Sequence, residues 1–159
     1  MNSPTPATAP RPAYDKALPN IEPGTQPFWD ALRQHRLIYQ ACHGCNTTFA
    51  PYQPVCPACW SEDLEDREST GRGRIYTFSV VHRAPTPAFR PDLPYVVAIV
   101  QLDEGFYLTT NIVDCPVQDV RIDLPVQVEF VDATAEITLP KFRPSDGAAA
   151  LHKETEVTP

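Results

Sequence analysis

The 159-residue chain has no run of about 18 to 20 apolar residues, and its first thirty residues contain no signal-peptide apolar core. Those absences argue against a helical membrane span and predict a protein that stays in the cytosol, where disulfides are disfavoured. Glycine is scarce, six against nineteen prolines, and the three lysines, Lys16, Lys141 and Lys153, stand far apart. With a formal net charge of −7, the chain lacks the positive stripe that a phosphate backbone requires, so a nucleic-acid binder is disfavoured. A nucleophile elbow, an HExxH pair and a Gly-rich phosphate loop are also missing, and no catalytic set is expected.

What the chain does have is cysteine in an ordered pattern. Four of its five cysteines form two CxxC pairs within CHGCNTTFAPYQPVCPACW, residues 42 to 60. A redox CxxC usually occurs once, in a strand-to-helix turn, whereas two facing pairs can deliver four thiolates tetrahedrally, a geometry Zn²⁺ accepts without strain. The expected ligands are Cys42, Cys45, Cys56 and Cys59. Four sulfur ligands leave no open position for water or substrate, which makes the ion structural; zinc is expected, with rubredoxin-like iron as the alternative. Asn46 and Trp60 stand after the second cysteine of each pair, where glycine is common because positive φ is easy for it. His43 reads as exposed rather than as a substitute ligand, and Cys115, ahead of Pro116, as a buried or idle thiol.

Hydrophobic residues make up 42% of the chain, enough for a modest core in one domain or two small ones. Seven prolines fall before residue 28. Residues 1–26 therefore read as an extended, proline-rich arm, either a disordered leader or a segment that orders on a partner subunit. Residues 145–159 read as a flexible tail.

PFWDALRQHRLIYQ places Pro27 in a first helical turn and puts Phe28, Trp29, Leu32 and His35 on or near one face, as core or as an aromatic docking pair. Residues 27–68 are thus expected to hold a helix and the ribbon, with SEDLEDREST as a polar connection. Strand patterns follow at Ile75 to Arg83, YVVAIVQL, YLTTNIV, VQVEFVD and a short EITL, with the proline-rich APTPAFRPDLP as a loop and Gly105 at a hairpin's positive-φ position. VQVEFVD alternates, with Val126, Val128 and Phe130 on one face. The expected fold is mainly β: an N-terminal helix and rubredoxin-like zinc ribbon, then a small five-stranded OB-fold barrel over residues 69–144.

Taken together, PFWDALRQHRLIYQACHGC, CPAC, STGRGRIYTFSVVHRAPTPAF, LPYVVAIVQLDEG and LPKFRP resemble the DUF35 family from about Pro27 to Pro144. The resemblance implies a zinc ribbon joined to an acyl-CoA-associated OB-fold. It departs from the family pattern in the missing knuckle glycines and at Asp123 or Leu124, where a glycine often precedes the Pro-Val step.

The resemblance further implies a small subunit that assembles with a thiolase-superfamily enzyme, such as a thiolase, an acyltransferase or an acyl-CoA side-chain aldolase, commonly as a heterotetramer. A hotdog-fold enoyl-CoA hydratase is a further implied partner. In such assemblies the chemistry belongs largely to the larger subunit. Candidates for contact with acyl-CoA are Arg72, Arg74, His82, Arg83 and Arg90, since forked guanidinium donors suit phosphates, with Phe89 and Tyr95 flanking an adenine or thioester arm. Taken singly each arginine reads as a solvated surface residue, and His82 as a structural hydrogen-bonding group with a proton shuttle as the alternative. The rivals are an OB-fold nucleic-acid binder and a stand-alone thioester lyase or hydrolase.

Overall fold

The computed structural model describes residues 14–50 and 53–145. The arm before residue 14 and the tail beyond residue 145 fall outside them.

Helix α1 (Gln26–Arg33) begins with a proline in its first turn and buries Phe28, Ala31 and Leu32. Those positions lie three and four residues apart, on one face. The ladder stops at Gln34, whose amide reaches back to Ala31, and His35 turns left-handed at φ 55°. The helix is therefore shorter than its apolar pattern predicts, and His35 lies beyond it. The His35 ring instead stacks on Phe130 with centroids 5.3 Å apart, and its Nε2 sits 2.9 Å from Asp132 Oδ1. Phe28 is core and packs edge-on against the half-buried Trp29 ring at 5.6 Å.

Beyond the helix, β1 (Ile38–Cys42) is buried along its whole length and is the middle strand of a three-stranded sheet, between β2 (Thr48–Phe49) and β3 (Leu64–Glu68). SEDLEDREST thus supplies a strand where a connection is expected. Antiparallel pairing from Ile38↔Glu68 to Cys42↔Leu64 satisfies its backbone on one side, while its charged side chains face water.

The remaining strands, β4 (Arg72–Val81), β5 (Tyr95–Leu102), β6 (Tyr107–Ile112), β7 (Pro125–Asp132) and β8 (Thr138–Pro144), close a barrel in the order β4-β5-β6-β8-β7. It is the expected five-stranded OB-type barrel. Inward positions alternate with outward ones: Ile75, Val96, Ala98, Val100, Leu102, Leu108, Ile112, Val126 and Phe142 fill it. Val126 is buried, and Val128 and Phe130 pack against the same core. The β4–β5 register shifts between Ile75 and Thr77, which leaves Tyr76 in a bulge.

Three boundaries differ from expectation. β4 starts earlier, at Arg72, and ends at Val81, so His82 and Arg83 follow the strand. Pro87–Asp92 winds into a 3-10 turn within the proline-rich loop. The last strand runs Thr138–Pro144, so EITL contributes only its end.

Glycine is required at several places, Gly71 (φ 70°) against Val128 among them. Gly105 takes φ 97° in the β5–β6 hairpin, and a Cβ on Gly73 would lie 2.3 Å from the Gln101 carbonyl oxygen. The second is a contact no side chain can make, so β4 and β5 approach there only because residue 73 has none.

Ribbon and barrel share one core. Tyr39 of β1 stacks on Phe106 of the β5–β6 hairpin at 5.0 Å, in the same buried cluster as Leu32, Leu37, Val100 and Phe142. Such an aromatic pair adds about 0.5–1.5 kcal/mol beyond its buried area. A polar clamp reinforces the joint. The Glu104 carboxylate accepts from the Thr70 amide at 2.6 Å, the Thr70 hydroxyl at 2.9 Å and the Ser69 hydroxyl at 3.0 Å. Its backbone carbonyl accepts from the Thr48 hydroxyl at 2.9 Å.

Candidate metal centre and ligand clefts

The two CxxC segments fold into matching knuckles. The Asn46 amide donates to the Cys42 carbonyl at 2.8 Å, and the Trp60 amide to the Cys56 carbonyl at 2.9 Å. Each turn needs a left-handed residue at its end, and Asn46 (φ 60°) and Trp60 (φ 64°) fill that place without glycine. Asp123 (φ 62°) does the same ahead of β7.

The knuckles bring the four expected sulfurs together. All lie within 4.8 Å of one another, with Cys42 Sγ 3.5 Å from Cys59 Sγ and Cys45 Sγ 3.6 Å from Cys56 Sγ. A tetrahedral ion with metal–sulfur bonds of about 2.3 Å has sulfur–sulfur edges of about 3.8 Å, so the set fits Zn²⁺. None of the four is in a disulfide. Cys42 and Cys56 are buried, while Cys45 and Cys59 are exposed.

The proton affinities of the exposed pair diverge. Cys45 is lowered to about 6, first by the Thr47 hydroxyl and then by its backbone. Cys59 is pushed up to about 12: the Ser61 amide pulls it down, but hydrogen bonding to the Cys45 and Cys42 sulfurs more than reverses this. Crowded thiols resist losing every proton unless a cation compensates, as a bound metal does. His43 stays outside the set, exposed, with Nε2 3.8 Å from Glu65 Oε2.

The expected acyl-CoA contacts separate into two places. Arg72 and Arg74, both exposed, line an open cleft of about 300 Å³ with Gly73, Asp103, Gln127 and Ser145. Phe89 and Tyr95, half-buried with ring centroids 5.8 Å apart, line a second cleft of about 400 Å³. The register explains the division: Val81↔Tyr95 lies at one end of β4 and Arg74↔Gln101 near the other, roughly 20–25 Å apart at about 3.3 Å per residue. His82, Arg83 and Arg90 are exposed and line neither cleft.

The second cleft contains residues that sequence reading left out. Lys16 closes one side, with Nζ 2.8 Å from Asp92 Oδ2 and over the rings of Tyr14 and Phe89 at 5.6 and 5.7 Å. Lys141 also lines it, its pKa lowered by burial and then by Lys16. Lys16 and Asp92 lie too far apart in sequence for any local pattern to join them. Cys115 is here too, half-buried, its Sγ 3.5 Å from the Pro116 carbonyl and its pKa raised by burial. That shift is opposite to what an activated nucleophile needs. Among the described residues, no helix is long and apolar enough to cross a membrane.

Comparison with known proteins places these features in a family. Residues 29–65 match the model described as ChsH2, rubredoxin-like zinc ribbon domain, and residues 66–131 match ChsH2, C-terminal OB-fold domain. A probable enoyl-CoA hydratase alpha subunit of Thermomonospora curvata is 40% identical over 140 residues, 87% of this chain but only 41% of that relative's length. A DUF35 domain-containing scaffold protein of Methanocaldococcus jannaschii is 41% identical over 104 residues, 64% of this chain and 73% of the relative. A solved structure titled Ltp2-ChsH2(DUF35) aldolase matches with a TM-score of 0.71 and 40% identity, covering 80% of this chain and 98% of that one. With its four-cysteine ribbon and closed five-stranded barrel, the chain belongs to the DUF35 family.

Proposed function

We propose that this chain is a zinc-holding accessory subunit of an acyl-CoA enzyme of the thiolase superfamily, an acyltransferase, thiolase or acyl-CoA side-chain aldolase, and that it helps shape that enzyme's acyl-CoA channel. The observation that carries this reading is the match at 40% identity to nearly the whole of a chain from the structure titled Ltp2-ChsH2(DUF35) aldolase. The four-sulfur centre supports a structural ion, because it offers no vacant coordination position. The ion's role is to hold two knuckles that bury too little apolar surface to fold alone. The reacting groups are assigned to the larger subunit, and the preferred assembly is two large and two small chains.

Of the two clefts, the one at Arg72 and Arg74 suits the phosphates of coenzyme A, where paired guanidinium groups give forked, charge-assisted hydrogen bonds. The cleft walled by Phe89 and Tyr95 suits an apolar or ring-bearing portion. A second reading is a hydratase alpha-subunit module. It rests on the 40% identity, across 87% of this chain, to a probable enoyl-CoA hydratase alpha subunit.

Turnover of acyl-CoA thioesters is the test, measured for this chain, for a thiolase-like subunit and for the two together. The accessory role predicts activity only in the mixture, and a several-fold rise in KM when Arg74→Glu replaces the parent. Full turnover by either part alone would refute it. Activation of a hotdog-fold hydratase instead would select the second reading.

A further inference from the structure

Trp60 is held with φ at 64° and with 77% of its surface exposed. Both facts oppose the local physics. A bulky L-residue is disfavoured in the left-handed region, and an exposed indole buries nothing. The twin knuckle shows that the turn does not require it, since Asn46 occupies the same place with the same amide-to-carbonyl hydrogen bond.

The surroundings give the exposed ring a context. Pro57, Ala58 and Cys59 beside it are exposed as well, and no Asp, Glu, Lys or Arg occurs between His43 and Glu62. Immediately beyond come Glu62 and Asp63, both exposed and in no ion pair among the described residues. On β3, Glu65 is paired with Arg67 and Glu68 with Arg36, so the free negative charge of this edge is carried by Glu62 and Asp63. The ribbon tip is therefore an apolar knob with an acidic shoulder, and a metal held by four thiolates adds further negative charge.

Resting on the accessory-subunit reading, we propose that Trp60 anchors the ribbon to the enzyme subunit by entering an apolar socket rimmed with lysine or arginine. Charge complementarity selects that occupant. A nucleic acid or an anionic membrane would meet the acidic shoulder with like charge, and so would a second copy of this chain. The outer position of β3 offers no alternative mode, because charged side chains along an edge strand discourage strand addition. Interface hot spots are enriched in tryptophan, buried at the centre of the contact within a polar rim.

The test uses the full chain with its metal, and Trp60→Gly is the informative variant because glycine is at ease where φ is 64°. It is expected to retain the parent's metal content, melt at or above the parent's temperature, and bind the enzyme subunit about tenfold or more weakly. The double variant Glu62→Lys, Asp63→Lys is expected to slow association and flatten its salt dependence. The chain has two tryptophans, so Trp29→Phe leaves one, and with 5-fluorotryptophan incorporated its fluorine resonance should shift when unlabelled enzyme subunit is added.

Binding by Trp60→Gly at parental affinity, or a fluorine resonance unmoved by assembly, overturns the anchor alone. A Trp60→Gly variant that melts below the parent would assign the ring to the ribbon's own packing and also overturn it. Failure of the parent itself to bind overturns the accessory-subunit reading and the anchor with it.

Discussion

Removing the carboxylate of Glu104 tests how the β3–β4 connection, which leads from ribbon to barrel, is held to the β5–β6 hairpin. In Glu104→Ala the amide and hydroxyl of Thr70 and the hydroxyl of Ser69 lose a shared acceptor at 2.6, 2.9 and 3.0 Å. Hydrogen bonds to a charged group contribute about 1.5–3 kcal/mol each. The three do not add, because one carboxylate serves all of them and the Thr70 groups are open to replacement by water. A net loss of about 2 kcal/mol follows, which for a chain of this size lowers Tm by about 6–8 °C. The Thr48 hydroxyl bond to the residue's own carbonyl survives, since alanine keeps that oxygen.

The assay is thermal unfolding followed by near-ultraviolet circular dichroism, in which the stacked Tyr39 and Phe106 rings report the joint. Zinc content should stay at the parental value, and Glu104→Gln should recover part of the loss, since its amide oxygen still accepts from Thr70. A Tm within about 1 °C of the parent would refute the assignment of Glu104 as the clamp.

Three further outcomes follow from the same structure. Cys59→Ser should lower the retained metal to well below one ion per chain and, because ribbon and barrel share a core, reduce barrel stability as well; metal analysis with circular dichroism checks both, and full metal retention would contradict the four-sulfur site. Gly73→Ala should prevent barrel closure or cost more than about 3 kcal/mol, because its Cβ meets the Gln101 carbonyl oxygen at 2.3 Å; a soluble variant with parental Tm would contradict the close approach. Lys141→Met should raise Tm at neutral pH by relieving a partly desolvated ammonium while keeping its packed stem. The folded-state pKa of Lys141 is depressed below 10.5, so the parent gains stability as pH rises from that depressed pKa towards 10.5, where the unfolded chain still holds its proton. The variant's advantage should therefore narrow in the same alkaline window, and an advantage that grows there would contradict burial as the cause.

Much of this was legible in the sequence because it was locally encoded. A metal knuckle places its ligands with two residues between them, so Cys42, Cys45, Cys56 and Cys59 announce themselves, and the barrel strands alternate as one-sided surfaces do. β3 is not legible locally, because its partner is β1 and its outward side chains are nearly all charged, which resembles a connection. His35 continued a helical pattern that the chain abandons when its ring finds Phe130, far along the sequence. The two clefts are the least legible. Arginines and aromatics close in sequence were carried to opposite ends of β4 by strand register, whereas Lys16, Asp92 and Lys141 were gathered from three distant segments.

The most direct measurement is the mass of what forms when this chain is co-expressed with a thiolase-superfamily subunit from the same source, determined by light scattering on the size-exclusion peak. An accessory subunit predicts one heteromeric species, with two large and two small chains as the expected composition, holding one zinc ion per small chain. Two separate peaks, with this chain eluting alone and the larger subunit fully active without it, would contradict the proposed role.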